Sequence, residues 1–224
     1  QQIQAGMYHI HASSTAWQLL LQLKQGEITN YKITFVEGWR FSQIQKVVDS
    51  SPNLIHTVAN ISSENLAKLL KIKHANLEGW LYPDTYYYND NTQDIDLYNQ
   101  ALIKMQNTLN NNWKNKTTTT PYKNAYEALI VASLIERETS HVNEYAEISG
   151  VIINRLKKNM RLQIDAAVFY GLNKTSGQLS KKDLKTKTPY NLYKRYGLPP
   201  TPIAMPIDQA IYAALHPNKS KYLY

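Results

Sequence analysis

The stretch that decides the fold is ALIVASLIERETS, residues 128–140, an apolar run that ends in two glutamates. A run of this length and composition predicts a core helix. Positions three, four and seven apart share one helix face. Counting back from Glu136 finds only small or apolar side chains: Ser133, Ala132 and Leu129. Counting back from Glu138 finds Ile135, Leu134 and Val131. The pattern therefore predicts that these carboxylates are not ordinary surface charges.

The position of Glu136 predicts an unusual acid. Desolvation on an apolar helix face raises the pKa of a carboxyl group, and the negative end of the helix dipole acts in the same direction. Glu138 adds a like charge, whereas Arg137 opposes it from a direction about 100° away around the helix. A carboxyl group that stays protonated near neutral pH can serve as a general acid toward a leaving oxygen. The alternative is a buried glutamate in a structural ion pair.

The composition describes a folded protein that attracts anions. The 224 residues suffice for one sizeable domain, or for a domain with a small companion, and 43% are hydrophobic. The net charge of +8 favours an anionic partner such as nucleic acid, a membrane surface or an acidic polymer, unless the domain is simply basic. The lysines are scattered and form no nucleic-acid-binding module, so we do not predict nucleic acid as the partner.

Several classes of site are excluded by the motifs. Cysteine is absent, which excludes disulfides and thiolate-bound metal and is compatible with an oxidising envelope compartment. The six histidines show no H-x-x-x-H or H-E-x-x-H spacing, and no P-loop, G-x-G-x-x-G or G-x-S-x-G occurs. We therefore expect no metal and no cofactor. No apolar run approaches the roughly 18 residues of a membrane span, and no signal peptide is found.

The remaining pattern predicts an α+β fold that opens with a β-α-β-α unit. Its parts are a strand at 6–10, a helix from Ser13 or Ser14 that stops at Gly26, a strand at 30–38 and a helix from Phe41 to before Pro52. Helices are then predicted at 62–70, from Tyr98 to Trp113, through Glu136, and from Ile148 to Leu156. We expect a loop at 77–90, an exposed connector at 110–121, irregular structure at 185–206, and a last helix that begins at Pro206 and ends at residues 216–217.

Two further segments carry candidate binding residues. Asp165 precedes the apolar stretch AAVFYGL and is either a helix N-cap or, together with Gln163, a residue of a cleft. The segment EGWLYPDTYYY, residues 78–88, places polar groups, Glu78 among them, between one tryptophan and four tyrosines. Such a mixture suits sugar rings, which have apolar faces and hydroxylated rims. The alternative is a satellite aromatic core beneath a loop.

Five motifs in the same order resemble those of the YceG-like (MltG) endolytic murein transglycosylases. They are EGW (37–39), LEGWLYPDTYYY (77–88), ASLIERET (132–139), GVIINRLKKNMRLQIDAAVFYGL (150–172) and the segment from TPYNLYKRYGLPP (188–200) to YLY. The resemblance implies a partial, small LysM-like α/β N-terminal subdomain at residues 1–50 and a mainly helical α+β catalytic domain at residues 51–224. It also implies that a membrane helix and a strand-rich C-terminal tail of the family lie outside this chain.

The function that this resemblance implies is cleavage of MurNAc-β-1,4-GlcNAc bonds within peptidoglycan strands, leaving 1,6-anhydro ends. Glu136 falls on the family's catalytic acid/base. Gln163 and Asp165 fall on its cleft residues, although Ile164 and Ala166 depart from its pattern. The resemblance also implies that three further residues line the cleft and contact the substrate: Glu78, Tyr86 and Asn191.

The implied setting is the cell envelope, as the extracytoplasmic (periplasmic) domain of a single-pass inner-membrane protein. Its implied partners are glycan strands and wall synthases of the penicillin-binding class. Two alternatives remain open at this point. One is a hydrolase in which Glu136 and Asp165 activate water, and the other is a non-catalytic peptidoglycan-binding scaffold.

Overall fold

A computed structural model describes residues 13–25, 31–74, 76–117, 120–175 and 177–223. The order of elements is α1 (Ala16–Gln25), β1 (Tyr31–Thr34), α2 (Phe41–Asp49), α3 (Ser63–Leu69), β2 (Thr85–Tyr88), α4 (Asp94–Lys114), α5 (Ala125–Glu138), a short 3-10 helix (Val142–Glu144), α6 (Tyr145–Lys157), α7 (Asp165–Gly171), α8 (Lys181–Lys185) and α9 (Asp208–Leu215). The predicted α+β class is confirmed. The strand predicted at residues 6–10 and the stop at Gly26 lie outside the described residues.

The helix α5 is the centre of the fold. The Asn124 side chain caps it by accepting the Glu127 N–H, and every residue from Ala128 to Glu136 is buried. Helices α4, α6, α7 and α9 all pack against it. The predicted core helix is therefore confirmed. Of the two glutamates in its last turn Glu136 is buried, as predicted, whereas Glu138 is exposed, because α5 ends there and the core no longer covers that side.

The two strands form a small antiparallel sheet in which Ile33 lies opposite Tyr86 and Tyr31 opposite Tyr88. The buried side of β2 carries Tyr86 and Tyr88, while Tyr87 points to solvent. The prediction of a loop throughout residues 77–90 was wrong for this segment. Aromatic residues favour strands, but a four-residue strand is stable only when it pairs, and its partner lies about 50 residues earlier.

Three predicted boundaries differ from the structure. Helix α4 continues to Lys114, so the beginning of the predicted connector at 110–121 is helical. The last turn is held in place because Leu109 and Trp113 pack against the core. Helix α9 begins at Asp208 rather than at Pro206. Asp165 is the first residue of α7 and the cap position is Ile164, so Asp165 is not the N-cap.

An irregular segment, residues 198–207, crosses α5 and connects it to the turn after β1. Its Ile203 N–H donates to the buried Ser133 hydroxyl at 3.0 Å. The N–H of Gly38 donates to the Met205 carbonyl at 2.9 Å, and the Met205 N–H donates to the Trp39 carbonyl at 2.8 Å. Gly38 has a φ of +71°, a conformation that favours glycine. This segment therefore holds the turn after β1 close to the end of α5.

The hydrophobic core contains residues from both sides of the predicted boundary at residue 50, including Ile44 from α2 and Leu97 from α4. The predicted helix at the start of the described residues is present as α1, although its Trp17 and Leu20 are exposed. Within the described ranges, no helix combines the length and the apolar character that crossing a bilayer requires.

Candidate active site

The Glu136 side chain lies in the last turn of α5 and is only 9% exposed. One carboxylate oxygen, Oε2, accepts the backbone N–H of Ile207 at 3.1 Å. The other, Oε1, accepts the hydroxyl of the buried Tyr145 at 3.3 Å. Both donors are electrically neutral. They fix the orientation of the carboxyl group from two sides without placing a cation on it.

The pKa of Glu136 is raised, and burial is the main cause. The hydrogen bonds from Ile207 and Tyr145 act in the opposite direction, because they favour the ionised form. Glu37, in the turn after β1, raises the pKa further, and Arg137 lowers it. The like charge that acts on Glu136 is therefore Glu37, whereas the sequence had pointed to Glu138.

The alternative of a structural ion pair finds no support at Glu136. Among the residues that the structure describes, ion pairs join His56 to Asp94, Lys104 to Asp84 and Lys174 to Asp183. Arg137 turns toward the turn after β1, where its Nη1 donates to the Gly38 carbonyl at 3.3 Å. Arg137 lines the same cleft as Glu136 and lowers the pKa of this glutamate, but it forms no ion pair with the carboxyl group, and burial remains the larger effect.

Glu136 lines an open cleft of about 470 Å³. The walls come from the turn after β1, the end of α5, the start of α6 and the residue before α9, and they include Glu37, Gly38, Glu136, Glu138, Tyr145 and Ile207. A carboxyl group that is mostly buried but faces such a cleft is accessible to a bound substrate on one side only. This is the geometry that a general acid requires.

A second cleft of about 390 Å³ adjoins the first, and Glu138 lines both. Gln163 lies in its wall with a φ of +52°, and its backbone N–H donates to the Leu192 carbonyl at 3.1 Å. Glu138 is exposed, but partial desolvation by its neighbours raises its pKa; the charge of nearby Asp165 raises it further, and Arg155 lowers it. The structure thus brings Gln163 and Asp165 next to the acidic end of α5.

Asn191 is connected to Asp165 through Tyr193. Its side chain is fully buried, donates to the carbonyls of Leu184 and Thr186 at 3.1 and 2.6 Å, and accepts the Tyr193 N–H at 3.0 Å. Tyr193 in turn donates its hydroxyl to Asp165 at 2.6 Å. Asn191 is not among the lining residues of the clefts described above. It shapes the loop that orients Asp165.

Glu78 is only 6% exposed and is not among the residues that line the two clefts. Its Oε1 accepts the Phe41 N–H at the start of α2, and its Oε2 accepts the Tyr170 hydroxyl of α7, both at 3.0 Å. Burial raises its pKa to about 7, although these two hydrogen bonds and Arg40 act against the rise. Glu78 therefore joins α2 to α7 through a carboxyl group that titrates near neutral pH.

Tyr86 is buried in the small sheet. Its ring packs against Phe35 at a centroid distance of 4.9 Å, and its hydroxyl donates to the Tyr82 carbonyl at 2.6 Å. The structure does not bring Tyr86 to the lining of the Glu136 cleft. Tyr86 is therefore part of an aromatic core, which was the alternative given for this segment, and not a residue of the cleft.

Comparison with known proteins identifies the family. The family model described as YceG-like matches residues 1–224. The chain belongs to the YceG-like family. It is 33% identical to the endolytic murein transglycosylase of Bacillus subtilis (strain 168), over 99% of this chain and 66% of that protein. It is 29% identical to the endolytic murein transglycosylase of Streptococcus pneumoniae (strain D39), over 99% of this chain and 46% of that protein. The chain thus spans between about half and about two thirds of the length of these relatives.

A solved structure supports the same family fold. The 2.6 Å crystal structure of a YceG-like protein from Listeria monocytogenes superposes with a TM-score of 0.72 at 27% identity, covering 99% of this chain and 79% of that one. This likeness extends the family assignment from the sequence to the arrangement of the elements that surround the cleft.

Two contributors to this YceG-like site could not be found from the sequence. Tyr145 lies nine residues after Glu136, beyond a turn whose path the local sequence does not determine. Ile207 contributes only its backbone N–H, which no side-chain motif reports. Glu37 belongs to the EGW motif and could have been found there. Within the part of the chain that the structure describes, no three His, Cys, Asp or Glu side chains are grouped to hold a metal ion.

Proposed function

We propose that this chain carries the catalytic site of an endolytic murein transglycosylase. The reaction is cleavage of MurNAc-β-1,4-GlcNAc bonds inside peptidoglycan strands, with 1,6-anhydro-MurNAc ends as products. The observation that carries the proposal is the buried Glu136, whose pKa is raised and whose carboxyl group faces an open cleft. The names of the Bacillus and Streptococcus relatives agree with it.

In the proposed mechanism, one carboxyl group acts twice. Neutral Glu136 donates its proton to the glycosidic oxygen, the bond from that oxygen to C1 of the muramoyl residue breaks, and positive charge develops at C1. The carboxylate then accepts the proton of the C6 hydroxyl of the same sugar while the C6 oxygen bonds to C1. The ring closes, Glu136 regains its proton, and no water is consumed.

The hydrogen bonds of Glu136 suit these two steps. The carboxylate exists only between them, and the N–H of Ile207 and the hydroxyl of Tyr145 are then available to stabilise it. The same donors keep the side chain in place when it is neutral. A single carboxyl group suffices because the nucleophile is part of the substrate, whereas hydrolytic glycosidases usually pair two carboxylates.

We propose Gln163 and Asp165 as substrate contacts. Gln163 lines the adjoining cleft, and Asp165, which is not among its lining residues, is near enough to Glu138 for its charge to act there. Both lie near Glu138, so a glycan bound at Glu136 would continue past them. We propose that Asn191 and Glu78 position other parts of the site and do not contact the substrate. Asn191 holds the loop that orients Asp165, and Glu78 holds the start of α2.

We further propose the setting of the whole protein. Residues 1–50 belong to a LysM-like subdomain and residues 51–224 to the catalytic domain. The protein works on the outer side of the cytoplasmic membrane, held there by an N-terminal helix, beside wall synthases of the penicillin-binding class. The resemblance in sequence supports this setting, and the net charge of +8 suits an anionic wall.

The test is a digest of purified sacculi with the wild-type chain, with Glu136→Gln, and with Glu64→Gln as a control at an exposed position of α3. We expect 1,6-anhydro ends from the wild type and the control. For Glu136→Gln we expect a loss of about 10³-fold or more in a variant that circular dichroism shows to be folded, since the general acid is gone. The products are read by mass spectrometry.

Other outcomes overturn parts of the proposal. Reducing ends that contain an added water would indicate a hydrolase. Binding to sacculi without soluble products would indicate a scaffold. Near-normal turnover by a folded Glu136→Gln variant would remove Glu136 from its role.

A further inference from the structure

A separate cleft of about 420 Å³ lies between α4 and α9, and we call it the α4–α9 cleft. Its walls carry aromatic and amide side chains, among them Tyr82, Asn111, Asn112, Asn115, Asp208 and Tyr212. The mechanism proposed above uses none of them.

The asparagines lie at the C-terminal end of α4. Asn111 and Asn112 belong to its last turn, and Asn115 is its C-cap. Two are held in place. Asn112 Nδ2 donates to Asp208 Oδ1 at 2.7 Å and to the Thr108 carbonyl at 2.9 Å, and Asn115 Nδ2 donates to the Asn111 carbonyl at 3.1 Å. Asn111 is exposed beside them. The wall therefore offers amide donors and acceptors to a ligand in a partly fixed arrangement.

Two tyrosines also line this cleft. Tyr212 is 55% exposed, and its ring stacks on His216 at a centroid distance of 4.0 Å. The Tyr82 ring is approached by the Lys104 ammonium at 4.9 Å. Aromatic faces combined with neutral hydrogen-bonding groups suit a saccharide, since sugar rings present C–H faces and polar edges.

The position of the cleft relates it to the active site. Asp208 directly follows Ile207, whose N–H holds the Glu136 carboxyl group. Consecutive residues at the start of α9 thus line the two clefts, Ile207 the Glu136 cleft and Asp208 the α4–α9 cleft.

We propose that the α4–α9 cleft is a second saccharide-binding site, which holds an uncleaved part of a β-1,4-linked N-acetylated glycan. The amides of α4 bind its acetamido and hydroxyl groups, and the ring of Tyr212 packs against a sugar face. The site increases affinity for long strands and takes no part in bond cleavage. This inference rests on the proposed function for its substrate class.

The test measures binding of chitopentaose, a β-1,4-linked N-acetylglucosamine pentamer, by calorimetry in the Glu136→Gln chain. Tyr212→Ala and Asn111→Ala are compared with Tyr87→Ala, a control at a tyrosine that is 65% exposed on β2. We expect each cleft variant to weaken binding at least fivefold and the control to leave it unchanged. Both cleft positions are exposed, and alanine favours the helix at residue 111, so we expect Asn111→Ala to fold even if Tyr212→Ala does not.

A second arm uses the active chain on long glycan strands. Tyr212→Ala should raise KM several-fold and leave kcat unchanged. Unchanged chitopentaose affinity in both cleft variants would overturn the inference while leaving the role of Glu136 intact. If the chain with Glu136 intact releases no anhydro ends from sacculi, while the two cleft variants still weaken chitopentaose binding, the proposed function is overturned and this binding site stands.

Discussion

Replacing Glu78 by glutamine should remove a pH dependence from the stability of this protein. Burial between α2 and α7 raises the pKa of Glu78 from 4.5 to about 7. The folded state therefore binds more protons than the unfolded state between these values. Stability from this group is fully present below pH 4.5 and is lost as the pH rises through about 7. At 1.36 kcal/mol per pH unit, the loss is about 3 kcal/mol.

The assay is urea unfolding followed by circular dichroism at several pH values from 4.5 to 8. Glutamine keeps the shape but presents an amide to the N–H of Phe41 or the hydroxyl of Tyr170, which costs about 1–3 kcal/mol at every pH. The result to examine is therefore how the free energy of unfolding changes with pH, and not the constant difference between the two proteins. The wild type should lose about 3 kcal/mol more than Glu78→Gln across this range.

Other groups with raised pKa values, such as Glu136 and Glu138, are present in both proteins and cancel in the difference. Glu64→Gln, at an exposed position of α3, should run parallel to the wild type. If the free energies of unfolding of Glu78→Gln and wild type stay parallel to within about 0.5 kcal/mol, Glu78 does not titrate as its burial implies.

Three further substitutions test the site and its support. Tyr145→Phe removes a hydrogen-bond donor that favours ionised Glu136, so the pKa of the alkaline limb of the pH–rate profile should rise. Turnover should fall about 2- to 10-fold, which corresponds to the loss of one hydrogen bond. A fall in the pKa of that limb would contradict this reasoning. Ser133→Ala leaves a buried N–H of the 198–207 segment without its acceptor and should lower the free energy of unfolding in urea by about 1–3 kcal/mol. Gly79→Ala places a Cβ at a residue whose φ is +81° and only 2.5 Å from the ring of Pro202. Gly177 also has a positive φ, +107°, but the space around it is open. The loss of thermal stability should therefore be larger for Gly79→Ala than for Gly177→Ala. Equal losses would show that packing at this proline is not limiting.

The features of the site that were predictable are those that depend on one helix. The burial of Glu136 and the direction of its pKa follow from residue spacing within α5, since a helix determines which side chains share a face. The proximity of Gln163 and Asp165 to α5 was implied only by the resemblance. No local pattern connects α7 to α5.

The features that could not be predicted depend on contacts between segments distant in the sequence. Glu78 and Tyr86 belong to one motif rich in aromatic residues, and both fit a sugar cleft on composition alone. In the structure, Tyr86 faces the core because β2 pairs with β1, and Glu78 is covered because Tyr170 and Phe41 reach it from two other elements. Composition describes what a segment can bind. It does not determine which side is covered.

The donors around Glu136 explain how a buried acid can be oriented and yet remain a proton donor. A lysine or arginine in the place of the Ile207 N–H would stabilise the carboxylate through a full charge and hold the pKa low. Neutral donors stabilise it less, so burial continues to dominate. Ser133 and Glu136 lie three residues apart on α5, a rise of about 4.5 Å, and both accept N–H groups from the 198–207 segment. The irregular backbone of that segment leaves its N–H groups free to serve α5, which a helix or a paired strand at the same place would have used internally.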